Sequence, residues 1–183
     1  MTLIGRRAML WLWITLGVVG TLVAVVVILG LLQSPRHVAS ARATYARPPA
    51  EVFAAISDHA PQASWRKDLK SLEMLPAQGG RTVFRETTGF GPVTFIVDES
   101  VPERRYVVRI LDDDLPYGGT WTFELEPKGA GTQLTITEAG EVKVFLFRAM
   151  SAFFSKTATI EGYLRSLGAK FGETVAPEIV ERG

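Results

Sequence analysis

Three kinds of hydrophobic pattern follow one another along the chain. From Ala8 to Leu32 the sequence AMLWLWITLGVVGTLVAVVVILGLL carries no charge over 25 residues, and Thr15 and Thr21 are its only polar side chains. At 1.5 Å per residue this is roughly 37 Å of helix, enough to cross about 30 Å of hydrocarbon with some tilt. The pattern predicts a transmembrane helix. After Pro35 the apolar residues shorten into brief runs. An extended segment around Val38–Tyr45 stops at Pro48 and Pro49, and Val52, Phe53 and Ile56 then recur at helical spacing behind Glu51, where a helix N-terminus favours an anion. A second short helix leads to Trp65.

From Leu69 to Val142 six strand-like runs are separated by Gly and Pro, which predicts an antiparallel meander. Tyr106, Val108 and Ile110 share one phase, as do Trp121, Phe123 and Leu125, so one sheet face is covered. The predicted cover is a helix over about 145–173. Met150, Phe153, Thr157, Ile160, Leu164, Leu167 and Phe171 step by three and four along it in one stripe. The order is strand, short helices, six strands, long helix. It predicts an α+β fold, with a curved antiparallel sheet of about seven strands gripping one long C-terminal helix.

Composition adds an asymmetry. Residues 1–47 hold five arginines and no acid, which leaves fifteen Lys and Arg against nineteen Asp and Glu in 48–183. The soluble part is mildly acidic, and with no basic patch a nucleic-acid partner is not expected. Arg6 and Arg7 before the span set the N-terminus inside and the soluble domain outside, against Arg36, Arg42 and Arg47 after it. A cleavable signal peptide is the rival reading, with Ala39–Ala41 as the cleavage site; a 25-residue apolar core is too long for it. The predicted organisation is a tail over 1–7, a single-pass span over 8–32, a linker over 33–37, one domain over 38–175 and a tail over 176–183. The chain has no cysteine and two histidines, and no metal or cofactor is expected.

The segment PPAEVFAAISDHAPQASW and the strand GTQLTITEAGEV together resemble the polyketide cyclase/dehydrase-like branch of the START/SRPBCC helix-grip superfamily, over about Val38 to Phe171. The resemblance implies a deep cavity between sheet and long helix, used in that superfamily by lipid carriers, hormone receptors and cyclases alike. It therefore implies a fold and leaves the activity open.

In such a cavity the expected lining is Trp65, Phe84, Phe95, Tyr106, Trp121, Phe147, Met150 and Phe154, with Arg109 available to an acid group of a ligand. Glu138 falls in step with Leu134 and Ile136, and Glu99 with Phe95 and Val97, which makes these two carboxylates the candidate catalytic acids and bases. The alternative for both is a place at the strand ends, facing solvent or Arg85 and Arg109. Three functions remain open. The first is a membrane-anchored binder of a lipid or other hydrophobic small molecule. The second is a cyclase or dehydratase using the carboxylates, and the third is a tethered interaction module whose cavity is filled by its own aromatics.

Overall fold

A computed structural model describes residues 3–151 and 155–180. Helix α1 spans Leu3–Leu32 and contains one segment, Trp11–Leu32, long and apolar enough to cross a membrane. Its side chains lie bare: Trp11, Trp13, Leu31 and Leu32 are each about two-thirds or more exposed. Strand β1 (Arg36–Tyr45) begins four residues beyond α1, earlier than the Val38 start expected from the sequence.

The two short helices are α2 (Pro49–Ser57) and α3 (Gln62–Trp65). Pro49 opens α2 because its fixed φ suits a first helical turn and its missing N–H has no partner to lose there. Val52, Ala55 and Ile56 turn its buried face toward the sheet. The meander follows as β2 (Ser71–Gln78), β3 (Arg81–Thr88), β4 (Gly91–Val101), β5 (Arg105–Ile110), β6 (Tyr117–Lys128) and β7 (Gly131–Val142). The sheet order is β2-β3-β4-β5-β6-β7-β1-β8, antiparallel at every junction. The eighth strand, β8 (Glu178–Ile179), pairs with Ala41 and Arg42 of β1 and brings part of the expected C-terminal tail into the sheet.

The gripping helix is shorter than its periodicity predicts. Two helices replace the single one, α4 (Phe145–Ser151) and α5 (Ala158–Lys170), and residues 155–157 between them are not helical. Thr157 was the weak member of the apolar stripe. Its hydroxyl meets that of Ser155 at 3.0 Å and the Glu161 carboxylate at 2.8 Å, an alternative to helical backbone pairing that favours a helix start. Past this point the stripe holds: Ile160, Leu164 and Leu167 are fully buried. Burial of each is worth about 1.5–3 kcal/mol.

Beneath α5 the sheet offers Ala39, Ala41 and Ala43, small side chains in one phase of β1 that let the helix axis come close. Tyr45 closes the far end, its hydroxyl donating to the Leu164 carbonyl at 2.9 Å. Helix α4 packs mainly on α1, with a smaller contact to β7, and lies so close to α1 that a side chain at Gly30 would run into the Phe145 carbonyl.

Candidate functional site

Because every neighbouring pair of strands is antiparallel, the start of β1, the end of β7, the start of β6, the end of β5, the start of β4 and the end of β3 share one end of the sheet. That end adjoins α1, since the Val142 amide donates to the Pro35 carbonyl at 2.7 Å three residues past Leu32. The concave face carries Phe84, Phe95, Tyr106, Val108, Trp121, Phe123, Leu134 and Ile136 in its phase. Over its far half α5 lays Tyr163 among the rings, 5.5 Å from Phe123, 6.1 Å from Trp121 and 5.7 Å from Trp65. Among the described residues the space expected to be a deep cavity is filled there by aromatic packing. In the near half Phe95, Ile110, Tyr117 and Trp121 are only half-buried.

The polar residues of the near half sit in register on three strands. Trp121, Glu138 and Ala39 form one row; Gly119, Gly140 and His37 form the next. Two facing glycines leave bare backbone, and the His37 ring lies across Gly140 where any side chain would collide with it. From there His37 Nε2 comes within 3.5 Å of Glu138 Oε1, the two side chains being 19% and 22% exposed. The Trp121 indole stands directly across from the same carboxylate on β6. Partial burial pushes the Glu138 carboxyl above its ordinary range, while His37 and Trp121 pull it back.

A second polar group lies under the α2–α3 connection. His59 is buried, stacked on Phe84 with ring centroids 3.8 Å apart, and its Nε2 shares a hydrogen bond with the Tyr106 hydroxyl at 2.6 Å. Burial, aided by the Arg66 charge, holds its pKa down at about 4, so the ring is neutral at pH 7. Arg66 makes a bidentate contact with Glu86, one arm at 3.0 Å, and also holds Asp68 at 2.7 Å beneath the Tyr163 ring. Burial raises the Glu86 carboxyl, and Arg66 pulls against that rise. These groups satisfy one another and pin α3 to the sheet.

The residues expected in the site divide. Glu138, Trp121, Phe95 and Tyr106 are on the concave face, with Phe84 at its buried floor and Trp65 at its edge. Glu99 is not there. A bulge at Asp98 puts Glu99 opposite Val107 where Val97 faces Val108, which reverses its phase and turns it to Arg105 on the convex side at 3.0 Å. Arg109 likewise lies on the convex side, bound to Asp98 at 2.7 Å. Phe147 sits on α4, 45% exposed, away from the sheet. Met150 is within α4 and its side chain lies outside the described residues, as does Phe154. One cleft of about 240 Å³ lies beside Glu173, and another of about 440 Å³ runs between α5 and Lys67–Asp68, with Tyr163 in its wall.

His37 was missed as a site residue, because nothing in a linker-like RHVAS shows that a glycine waits across the strand. Its odd-numbered phase with Ala39, Ala41 and Ala43 was the available signal. Among the described residues no group of three or more His, Asp and Glu is gathered closely enough to hold a metal ion.

The sequence model of the family described as polyketide cyclase / dehydrase and lipid transport matches residues 36–172. The chain belongs to this family. Solved structures similar in fold include TTHA0849 from Thermus thermophilus, at 22% identity and TM-score 0.59 over 73% of this chain and 96% of that one. A START superfamily protein from Mycobacterium smegmatis matches at 18% identity and TM-score 0.59, over 73% and 96%. The di-domain ARO/CYC StfQ from the steffimycin biosynthetic pathway matches at 14% identity and TM-score 0.61, over 73% of this chain and 50% of StfQ, so the chain spans half of that protein's length. At such identities the likeness is one of fold. A comparison with curated protein sequences returns no match.

Proposed function

We propose that the protein is a single-pass, membrane-tethered binder of a lipid or other hydrophobic small molecule. The ligand would enter at the half-open end of the concave face, with Trp11–Leu32 in the bilayer, the N-terminus cytoplasmic and the domain outside. The observation that carries this reading is the coincidence of two ends. The half-buried apolar rings of the near sheet lie where α1 leaves the sheet. Around that end Phe90 is 97% exposed in the β3–β4 turn, and Phe145, Leu146 and Phe147 are each near 45% exposed on α4. Apolar side chains bare to water at one end of a domain, beside an apolar helix, are what a bilayer surface would cover. The family's description includes lipid transport, which supports the same reading.

The packed far half favours the interaction module without a ligand, and Glu138 favours an enzyme. The half-open near face gives a hydrophobic ligand room that neither reading requires.

The test is photo-crosslinking of the full chain in nanodiscs that contain phosphatidylcholine with a diazirine in one acyl chain, followed by peptide mapping. Adducts at Phe95, Ile110 or Trp121 are expected in addition to those on α1. Adducts confined to α1 would reduce the protein to a tethered domain that takes no lipid.

A further inference from the structure

Resting on the reading of the near concave face as a ligand site, we infer that Glu138, oriented by His37 and Trp121, is the head-group acceptor for an uncharged amphiphile bearing a hydroxyl. Two carboxylates stand in the concave phase toward this end of the sheet, and Glu86 is taken up by its bidentate contact with Arg66, which leaves Glu138. Its neighbours in the register are Trp121 on one side and Ala39 on the other, so it stands between an aromatic wall and a small residue that leaves space.

The carboxylate is held without being used up. His37 approaches one oxygen at 3.5 Å, yet a carboxylate has about four lone-pair positions. The two side chains remain partly accessible, at 19% and 22%, so the capacity left over is open to a second partner. Gly119 and Gly140 contribute to the same arrangement. They let the imidazole lie flat on the sheet, where it orients Glu138 from the side instead of standing in the entrance.

The position suits a molecule whose tail stays apolar. His37 is five residues from Leu32, so at most roughly 17 Å of extended chain separates it from the end of the membrane-crossing segment. A ligand with its hydroxyl on Glu138 meets Trp121 on the adjacent strand with its first carbons and runs toward Ile110 and Phe95, two and three strands away, with the rest of its chain. A fatty-acid anion would set carboxylate against carboxylate in a half-buried place, a repulsion made worse by poor solvation. A hydroxyl donates one hydrogen bond and brings no charge.

The experiment uses the full chain in dodecyl maltoside, incubated with equimolar n-hexadecanol, hexadecanoate and hexadecylamine, and with n-hexadecane separately. Retained ligand is read by native mass spectrometry. The alcohol should be retained about tenfold over the acid, a difference of the size expected for one unmatched charge. Glu138→Gln, which keeps the shape and removes the charge, should bring that ratio close to one. His37→Asn should weaken alcohol retention while leaving hexadecane retention unchanged, which a merely structural role would not do.

Acid or amine retained above the alcohol, or a ratio unmoved by Glu138→Gln, would overturn the head-group assignment. Hexadecane and all three amphiphiles retained equally would overturn it too and leave the hydrophobic-binding reading standing. Retention of none of the four would remove both.

Discussion

At the scale of single residues, two histidines of ordinary appearance have opposite surroundings. His37 lies partly open against Glu138, whereas His59 is closed in by Phe84, Tyr106 and Gln62. His59 gives a pH prediction of definite sign. Its pKa falls from 6.5 unfolded to about 4 folded, so the folded state holds fewer protons between these values and the stability tied to the neutral ring is complete above pH 6.5. It is lost as pH falls toward 4, amounting to about 2 kcal/mol by pH 5. Thermal melts at pH 7.5 and 5.0 should show a drop in Tm that His59→Gln largely removes. An unchanged drop would assign the acid sensitivity elsewhere. The same scale explains why Glu99 takes the outward one of its two expected places: alternation assigns faces only while each residue opposes one partner, and the extra residue Asp98 ends that condition.

At the scale of elements, the C-terminal helix shows how far periodicity reaches. The steps of three and four over Ile160, Leu164 and Leu167 identified the helix and its buried face correctly. They did not reveal that α4 turns away to α1, because an apolar stripe states that a face needs covering and not by what. The contact that decides it is at Gly30, which has no side chain to hold the Phe145 backbone off. Gly30→Leu should therefore separate α4 from α1. Hydrogen exchange in detergent should show the Arg148 amide, which donates to the Val144 carbonyl at 3.1 Å, exchanging about tenfold faster. Unchanged protection would mean that α4 holds its place without α1.

At the scale of the whole molecule, α1 and the domain are joined through few contacts beyond α4, while the core of β1, α2, the meander and α5 is continuous. A chain starting at residue 33 should accordingly fold alone, with a circular dichroism spectrum rich in strand and a single cooperative melt. A non-cooperative melt would show that α1 completes the core. From residue 33 the domain carries eighteen Lys and Arg against nineteen Asp and Glu, and Phe90 and Phe145–Phe147 are bare at one end, so its orientation on a bilayer would come from hydrophobic contact more than from attraction to anionic head groups.

What the sequence alone determined is what local rules govern. These are the apolar span, the Pro-started α2, the six consecutive strands with their shared phases, and the buried face of α5. Each depends on neighbours within a few positions, where the spacing of side chains fixes direction. The tertiary structure alone decided which residues from distant segments meet. It set His37 over Gly140 and beside Glu138, across about a hundred positions of sequence, and paired Arg66 with Glu86 under Tyr163. It also filled the far half of the expected cavity with rings and left Phe95, Ile110, Tyr117 and Trp121 half-buried in the near half. Register and packing set these outcomes, since they depend on which strand lies next to which and on the volume left between sheet and helix.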